Sequence, residues 1–167
     1  MLVAVDVVFR AGAGLEARLL RQRPDGGRWT HVGLLFRDGW VYHCDARRGV
    51  CADPWDHFHR GKGRDLGRVV LRCSRRREQR LRAVCEDMVG QGLAFADDYR
   101  DWQEAAGRHF YCTTFVCEVL ARAADFFPMA PEAVAPQIIP LLGERRLLLP
   151  EPLYRALARS VEAGPLL

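Results

Sequence analysis

Trp29-Thr30-His31-Val32-Gly33-Leu34-Leu35-Phe36, then Arg37-Asp38-Gly39, then Trp40-Val41-Tyr42-His43-Cys44-Asp45, is the stretch whose reading decides the fold. Two apolar runs flank an Asp-Gly pair, which predicts a β-hairpin over 29–36 and 40–46. Side chains alternate along a strand, so the loop length decides which of them share a face. A two-residue loop, Asp38-Gly39, pairs Arg37 with Trp40 and sets His43 across from Leu34, on the opposite face from His31. A three-residue loop, Arg37-Asp38-Gly39, pairs Phe36 with Trp40. His43 then lies across from Gly33, on the face of His31, and Asp45 lies across from His31 itself. Three-residue loops commonly combine a type I turn with a glycine in the left-handed region, and Gly39 stands in that place. The sequence thus permits His31, His43 and Asp45 to share a face, with Gly33 leaving room for close approach and Cys44 pointing away.

Outward from the hairpin, residues 2–9 read as a buried strand interrupted by Asp6. Asp6 is expected to be a hydrogen-bonded structural carboxylate, partnered by Arg10 or Arg21. A short helical stretch follows over Leu15–Arg23, and a further strand is expected at 67–73. Ser74 is a candidate N-cap for a helix to Val89, with Leu81, Val84, Cys85 and Met88 as its apolar stripe. The segment 93–110 is aromatic and acidic with weak periodicity. From Tyr111 or Cys112 to Ala124 the spacing of Phe115, Val116, Val119, Leu120 and Ala123 predicts a helix with a buried stripe. Beyond Phe127 the chain is punctuated by proline, with short helical pieces expected near 131–142 and 152–162. Strands first and helices later predict an α+β fold with an antiparallel sheet, in a single domain over 1–167.

At 167 residues, 49% hydrophobic and 28% charged, the chain is an ordinary globular domain, large enough to fold without disulfide or metal staples. No apolar run approaches the ~20 residues of a membrane span. Asp6 within the first apolar stretch, with no basic leader before it, argues against a secretory signal, so a cytoplasmic location is expected. The net charge of +4 does not point to nucleic acid. Lys62 is the single lysine, and the arginine cluster Arg72–Arg82 lacks interleaved aromatics and reads as a solvated helix face. The six cysteines at 44, 51, 73, 85, 112 and 117 show no CxxC spacing, and reduced thiols are expected.

One cysteine differs from the others. Cys112 falls where a helical pattern begins, and the partial positive charge of a helix N-terminus favours thiolate. A nucleophilic thiol also needs a base and a group to orient that base. His31, His43 and Asp45 on one strand face supply both. Cys85 and Cys117 lie inside helical patterns and lack this help.

These segments carry a resemblance. Thr30-His31-Val32-Gly33-Leu34-Leu35, followed by Asp38-Gly39-Trp40-Val41-Tyr42-His43, resembles the histidine strand pair of NlpC-type papain-like cysteine hydrolases. The step from His31 to His43 matches that family's spacing between base and third polar residue. The order histidine, histidine, cysteine resembles its circularly permuted branch, which includes YiiX/YebB-like hydrolases and lecithin:retinol acyltransferase-like enzymes. Asp6-Val7-Val8-Phe9-Arg10 with the helix after Gly12 resembles that branch's opening strand and arginine-bearing helix. Phe110-Tyr111-Cys112-Thr113-Thr114-Phe115-Val116 resembles its nucleophile helix. The likeness spans roughly residues 3–125. Two positions depart from the pattern: Val5 stands where glycine is common, and His43 where YiiX-like members often carry glutamate.

The resemblance implies a papain-like fold with the sheet packed against the helix that bears Cys112. It implies Cys112 as nucleophile, His31 as general base and His43 as the residue holding the His31 ring, with Asp45 as runner-up and Tyr111 and Asp6 as cleft residues. The implied reaction is thiol attack on an acyl carbon through a thioester, as an amidase, peptidase or esterase, with no cofactor or metal. The substrate would be a small-molecule, peptide or lipid acyl compound. A lipid acyltransferase or phospholipase, and a catalytically inert binding domain on the same scaffold, are the alternatives. Asp53, Asp56, His57 and His59 in the run from Cys51 are expected to form a polar loop near the cleft rather than a metal site.

Overall fold

The computed structural model describes residues 1–12, 18, 21–22, 27–60, 66–95, 109–124, 135–139, 143–147 and 149–162. Five strands, β1 (Leu2–Arg10), β2 (His31–Leu35), β3 (Trp40–Asp45), β4 (Gly49–Pro54) and β5 (Leu66–Ser74), form one sheet in the order β4-β3-β2-β1-β5. Every neighbouring pair is antiparallel. The interior place of β1, between β2 and β5, explains its nearly continuous apolar sequence, since both of its edges are paired and both of its faces are covered.

The hairpin takes the three-residue form. Phe36 N–H donates to Trp40 O and Gly39 N–H to Phe36 O, each at 3.0 Å. Gly39 supplies the left-handed residue at φ 84°. Gly33 therefore pairs with His43, and pairing with β1 sets Arg10 beside His31 and Asp6 beside Leu35. One face of the sheet carries Val3, Val5, Val7, Phe9, Val32, Leu34, Tyr42, Cys44, Val50, Val69, Leu71 and Cys73, all in the main core. The other carries Asp6, Val8, Arg10, His31, Gly33, Val41, His43, Cys51 and Asp53.

A short helix, α1 (Trp55–His59), lies on this second face, where Phe58 packs with Val8 and Val41. Helices α2 (Arg75–Gly90), α3 (Cys112–Ala124) and α4 (Pro150–Glu162) contribute to the main core. The Ser74 hydroxyl accepts from Arg77 N–H and caps α2, and Leu81, Cys85 and Met88 are its buried stripe. The main core takes residues of α3 from Cys112 to Ala123. Two short pairs complete the described structure: β6 (Ala94–Phe95) with β7 (His109–Phe110), parallel, and β8 (Ala135–Ile139) with β9 (Gly143–Leu147), antiparallel. Among the described residues no helix is long and apolar enough to cross a membrane.

Three expectations require correction. The segment from Cys51 is not a polar loop: it completes β4, then forms α1 directly after Pro54. Alternation in 49–54 is weak, so its strand character was hidden by the proline and by the polar residues at its end. Residues 135–139 are a hairpin strand rather than part of a helix, consistent with Pro136 inside the segment and Pro140 directly after it. Asp6 does pair with an arginine, but with Arg68 across the β1–β5 ladder, Nη2 to Oδ2 at 2.6 Å, rather than with Arg10 or Arg21. Most of the Leu15–Arg23 helix, and Tyr99 and Trp102 of the aromatic middle, lie outside the described residues.

Gly33 is fixed by what surrounds it. A Cβ there would meet Val41 Cγ1 at 2.8 Å, Tyr42 O at 3.0 Å and His43 Cβ at 3.1 Å. The Gly33→Ala variant should lose about 1–3 kcal/mol by urea unfolding and shift the ring resonances of His43. An unchanged unfolding midpoint would contradict this packing.

Candidate active site

Cys112 opens α3. Phe115 N–H donates to Tyr111 O at 2.9 Å, making Tyr111 the N-cap, and Tyr111 N–H donates back to Thr114 Oγ1 at 3.0 Å. This is the returning half of a capping box, with threonine in the usual glutamate place. It satisfies the Tyr111 amide and fixes where Cys112 enters. The Tyr111 side chain is buried in the core.

Phe36 N–H points to β3, and alternation directs Leu34 and Val32 N–H the same way. The β2–β3 register ends at Gly33–His43. The Val32 amide beyond it lies against the Cys112 sulfur and works to lower that thiol's pKa. Thr113 and the Arg10 charge also favour the thiolate, but burial outweighs them and pushes the thiol pKa up. A depressed thiol pKa, expected from the helix N-terminus, is therefore not the state of this closed site. Desolvation exceeds the hydrogen-bond contributions and that of the Arg10 charge.

The two histidines are in contact. His31 Nε2 lies 3.0 Å from His43 Nδ1, with the rings edge-on at 5.1 Å between centroids. Phe58 packs against both rings. Its carbonyl accepts from Arg10, whose guanidinium also lies 4.6 Å over the Phe58 ring. Helix α1, missed in the sequence, thus walls the histidine pair and holds Arg10.

His43 continues to a carboxylate that sequence reasoning left in a loop. His43 Nε2 lies 3.0 Å from Asp53 Oδ2. Arg48 grips the same carboxylate with both guanidinium ends, Nη1 to Oδ1 at 2.9 Å and Nη2 to Oδ2 at 2.6 Å. His57 Nδ1 adds a contact to Oδ1 at 3.1 Å. The Arg48 pair, followed by the His43 and His57 contacts, holds the Asp53 carboxyl far below the ordinary range against its burial. Asp45 closes the β3–β4 turn instead, with Oδ1 accepting from Arg47 and Arg48 N–H at 2.9 and 3.3 Å. The missed signal was parity: once His43 pairs with Cys51, residue 53 shares their face.

His43 Nε2, Cys51 Sγ and an Asp53 oxygen also lie within 4.8 Å of one another, donor types that suit a zinc-like ion. Two features oppose such an ion. The Arg48 guanidinium occupies both carboxylate oxygens. Burial pushes the metal-free Cys51 thiol up to about 11, so an ion there would have to displace its proton. The donors as arranged do not fit a resident cation.

Burial lowers the His43 pKa, and Asp53 only partly offsets it. The native ring binds fewer protons than the unfolded one, so His43 contributes stability that is full above about pH 6.5 and is lost as pH falls below it. The urea midpoint should rise from about pH 5 to pH 7, and His43→Gln should flatten that rise. An equal slope in the variant would contradict the assignment. The Asp53 contribution is lost at lower pH, below the ordinary carboxylate range near 4, and does not overlap this window.

No family model matches the sequence, and no curated protein does. Among solved structures, the chain is similar to the metalloprotein YiiX from Escherichia coli O157:H7, at a TM-score of 0.56 and 18% identity. The match covers 96% of this chain and 83% of that one. The α+β architecture described above, an antiparallel sheet against the helix that carries Cys112, is the papain-like fold of that structure.

Proposed function

We propose that the chain is a thiol-dependent acyl hydrolase of the permuted NlpC type, with Cys112 as nucleophile and His31 as base. The observation that carries this reading is the His31–His43 hydrogen bond on one face of the sheet, with the amide of Val32, next to His31 in sequence, acting to lower the Cys112 pKa. The resting site holds a neutral thiol. His31 therefore takes the proton as the sulfur attacks, rather than before substrate binds. The sulfur adds to the acyl carbon, and the oxyanion is stabilised by N–H groups at the start of α3. The new His31 imidazolium then protonates the leaving amine or alcohol as its bond to the acyl carbon breaks. Water, deprotonated by His31, releases the acid from the thioester and restores the thiol. His43 holds the His31 ring throughout.

The competing reading is a metal site at His43, Cys51 and Asp53, favoured by the donor cluster and by the fold's likeness to YiiX, itself described as a metalloprotein. The Arg48 clamp on both Asp53 oxygens argues for the thiol chemistry.

The test is a panel of peptide amides, phospholipid esters and simple acyl esters. Cys112→Ala should lower turnover of whichever is hydrolysed by about 10³-fold or more, with a stability change of only about 1 kcal/mol. A chelator should leave the native activity unchanged. Full activity in Cys112→Ala would end the thiol reading, and loss of activity on chelation would favour the metal.

A further inference from the structure

The Asp53 carboxylate has four nitrogen contacts: Arg48 Nη1 and His57 Nδ1 on Oδ1, and Arg48 Nη2 and His43 Nε2 on Oδ2. That fills the lone-pair sites of an ionised carboxylate, which accepts and never donates. The bidentate arginine keeps the group ionised. His43 must therefore present Nε2–H to Asp53. A neutral imidazole has one N–H, so His43 Nδ1 is left as an acceptor. The group facing that nitrogen at 3.0 Å is His31 Nε2, which must then donate. His31 in turn carries its lone pair on Nδ1. Each tautomer in the row is dictated by the one before it, and the first is dictated by a carboxylate that an arginine locks in place.

We propose that Asp53, clamped by Arg48 and His57, is the positioning residue of this site, selecting the His43 tautomer and through it the His31 tautomer whose Nδ1 receives the Cys112 proton. The last step rests on the hydrolase reading above; the hydrogen-bond order does not. Asp53 takes up no proton. When His31 becomes an imidazolium, its Nε2–H still points at His43 Nδ1, and the Asp53 charge lies at the far side of the His43 ring. His43 and Asp53 thus act through the His31 base rather than on the Cys112 sulfur.

The experiment is a long-range proton–nitrogen correlation on the full chain labelled with ¹⁵N-histidine at neutral pH, without substrate. The expected pattern is a protonated Nε2 and bare Nδ1 on both His43 and His31. In Asp53→Leu, which cannot accept, the His43 proton should redistribute onto Nδ1, and its Nε2 preference should fall. In the same variant kcat should drop about 10- to 100-fold with KM nearly unchanged. A native His43 protonated on Nδ1 overturns the proposal, whether or not the variant folds. So does an Asp53→Leu protein with the native ring-nitrogen pattern. A native protein with the expected pattern that hydrolyses no acyl compound overturns the hydrolase reading and leaves Asp53 as the group that sets the tautomers.

Discussion

The left-handed conformation of Gly39 is the constraint on which the histidine face depends. A glycine adopts φ 84° without the steric cost that a Cβ imposes, and this closes the β2–β3 loop over three residues rather than two. One residue fewer would turn His43 into the apolar layer beneath α3 and bring Tyr42 and Cys44 to the other side. The same parity passes to β4, because β3 and β4 pair through His43 and Cys51. The β3–β4 register alone puts Asp53 on the face of His43, and the Gly39 turn brings that pair to the face of His31. The contact between two imidazoles and a carboxylate is thus built on backbone geometry before any side chain is considered.

Burial then sets the chemistry of each group differently. His43 and Cys112 are both withdrawn from water, and both are driven toward their neutral forms. Asp53 is equally withdrawn, yet stays charged because Arg48 offers it two parallel donors. An ionised carboxylate that only accepts, paired with Arg48, gives the hydrogen bonds a direction. Arg10 supplies the balancing positive charge from β1, pinned by the carbonyl and ring of Phe58. Helix α1, only five residues long, places Phe58 against the histidines and His57 against Asp53.

The legible part of the sequence was the part with strong periodicity or strong turn chemistry. The Asp38-Gly39 pair, the Ser74 cap and the apolar stripe of α3 each have a local cause, and each stands where the sequence put it. The loop parity was legible as two options, of which the geometry of Gly39 favoured the one observed. Asp53 was not legible, because the strand that carries it ends in Pro54 and borrows its register from β3 rather than from its own pattern. The partner of Asp6 was hidden for a related reason. Arg68 lies across a ladder that joins distant parts of the chain, and sequence proximity pointed to Arg10. The state of the Cys112 thiol was misjudged because a helix end is visible in sequence whereas the depth of burial is not.

The sheet order also has a kinetic consequence. Strands β2, β3 and β4 follow one another through tight turns, whereas β1 and β5 pair across everything between Arg10 and Leu66. Loop-closure entropy favours the local meander, and the long ladder closes later. His31, His43 and Asp53 all belong to the meander, while Cys112 arrives with a helix that needs the completed core. During folding the two halves of the site therefore mature separately. The imidazole–carboxylate row can be ordered while the thiol is still outside, and a chain stalled at that stage would expose its cysteines to oxidation that the finished fold withholds from them.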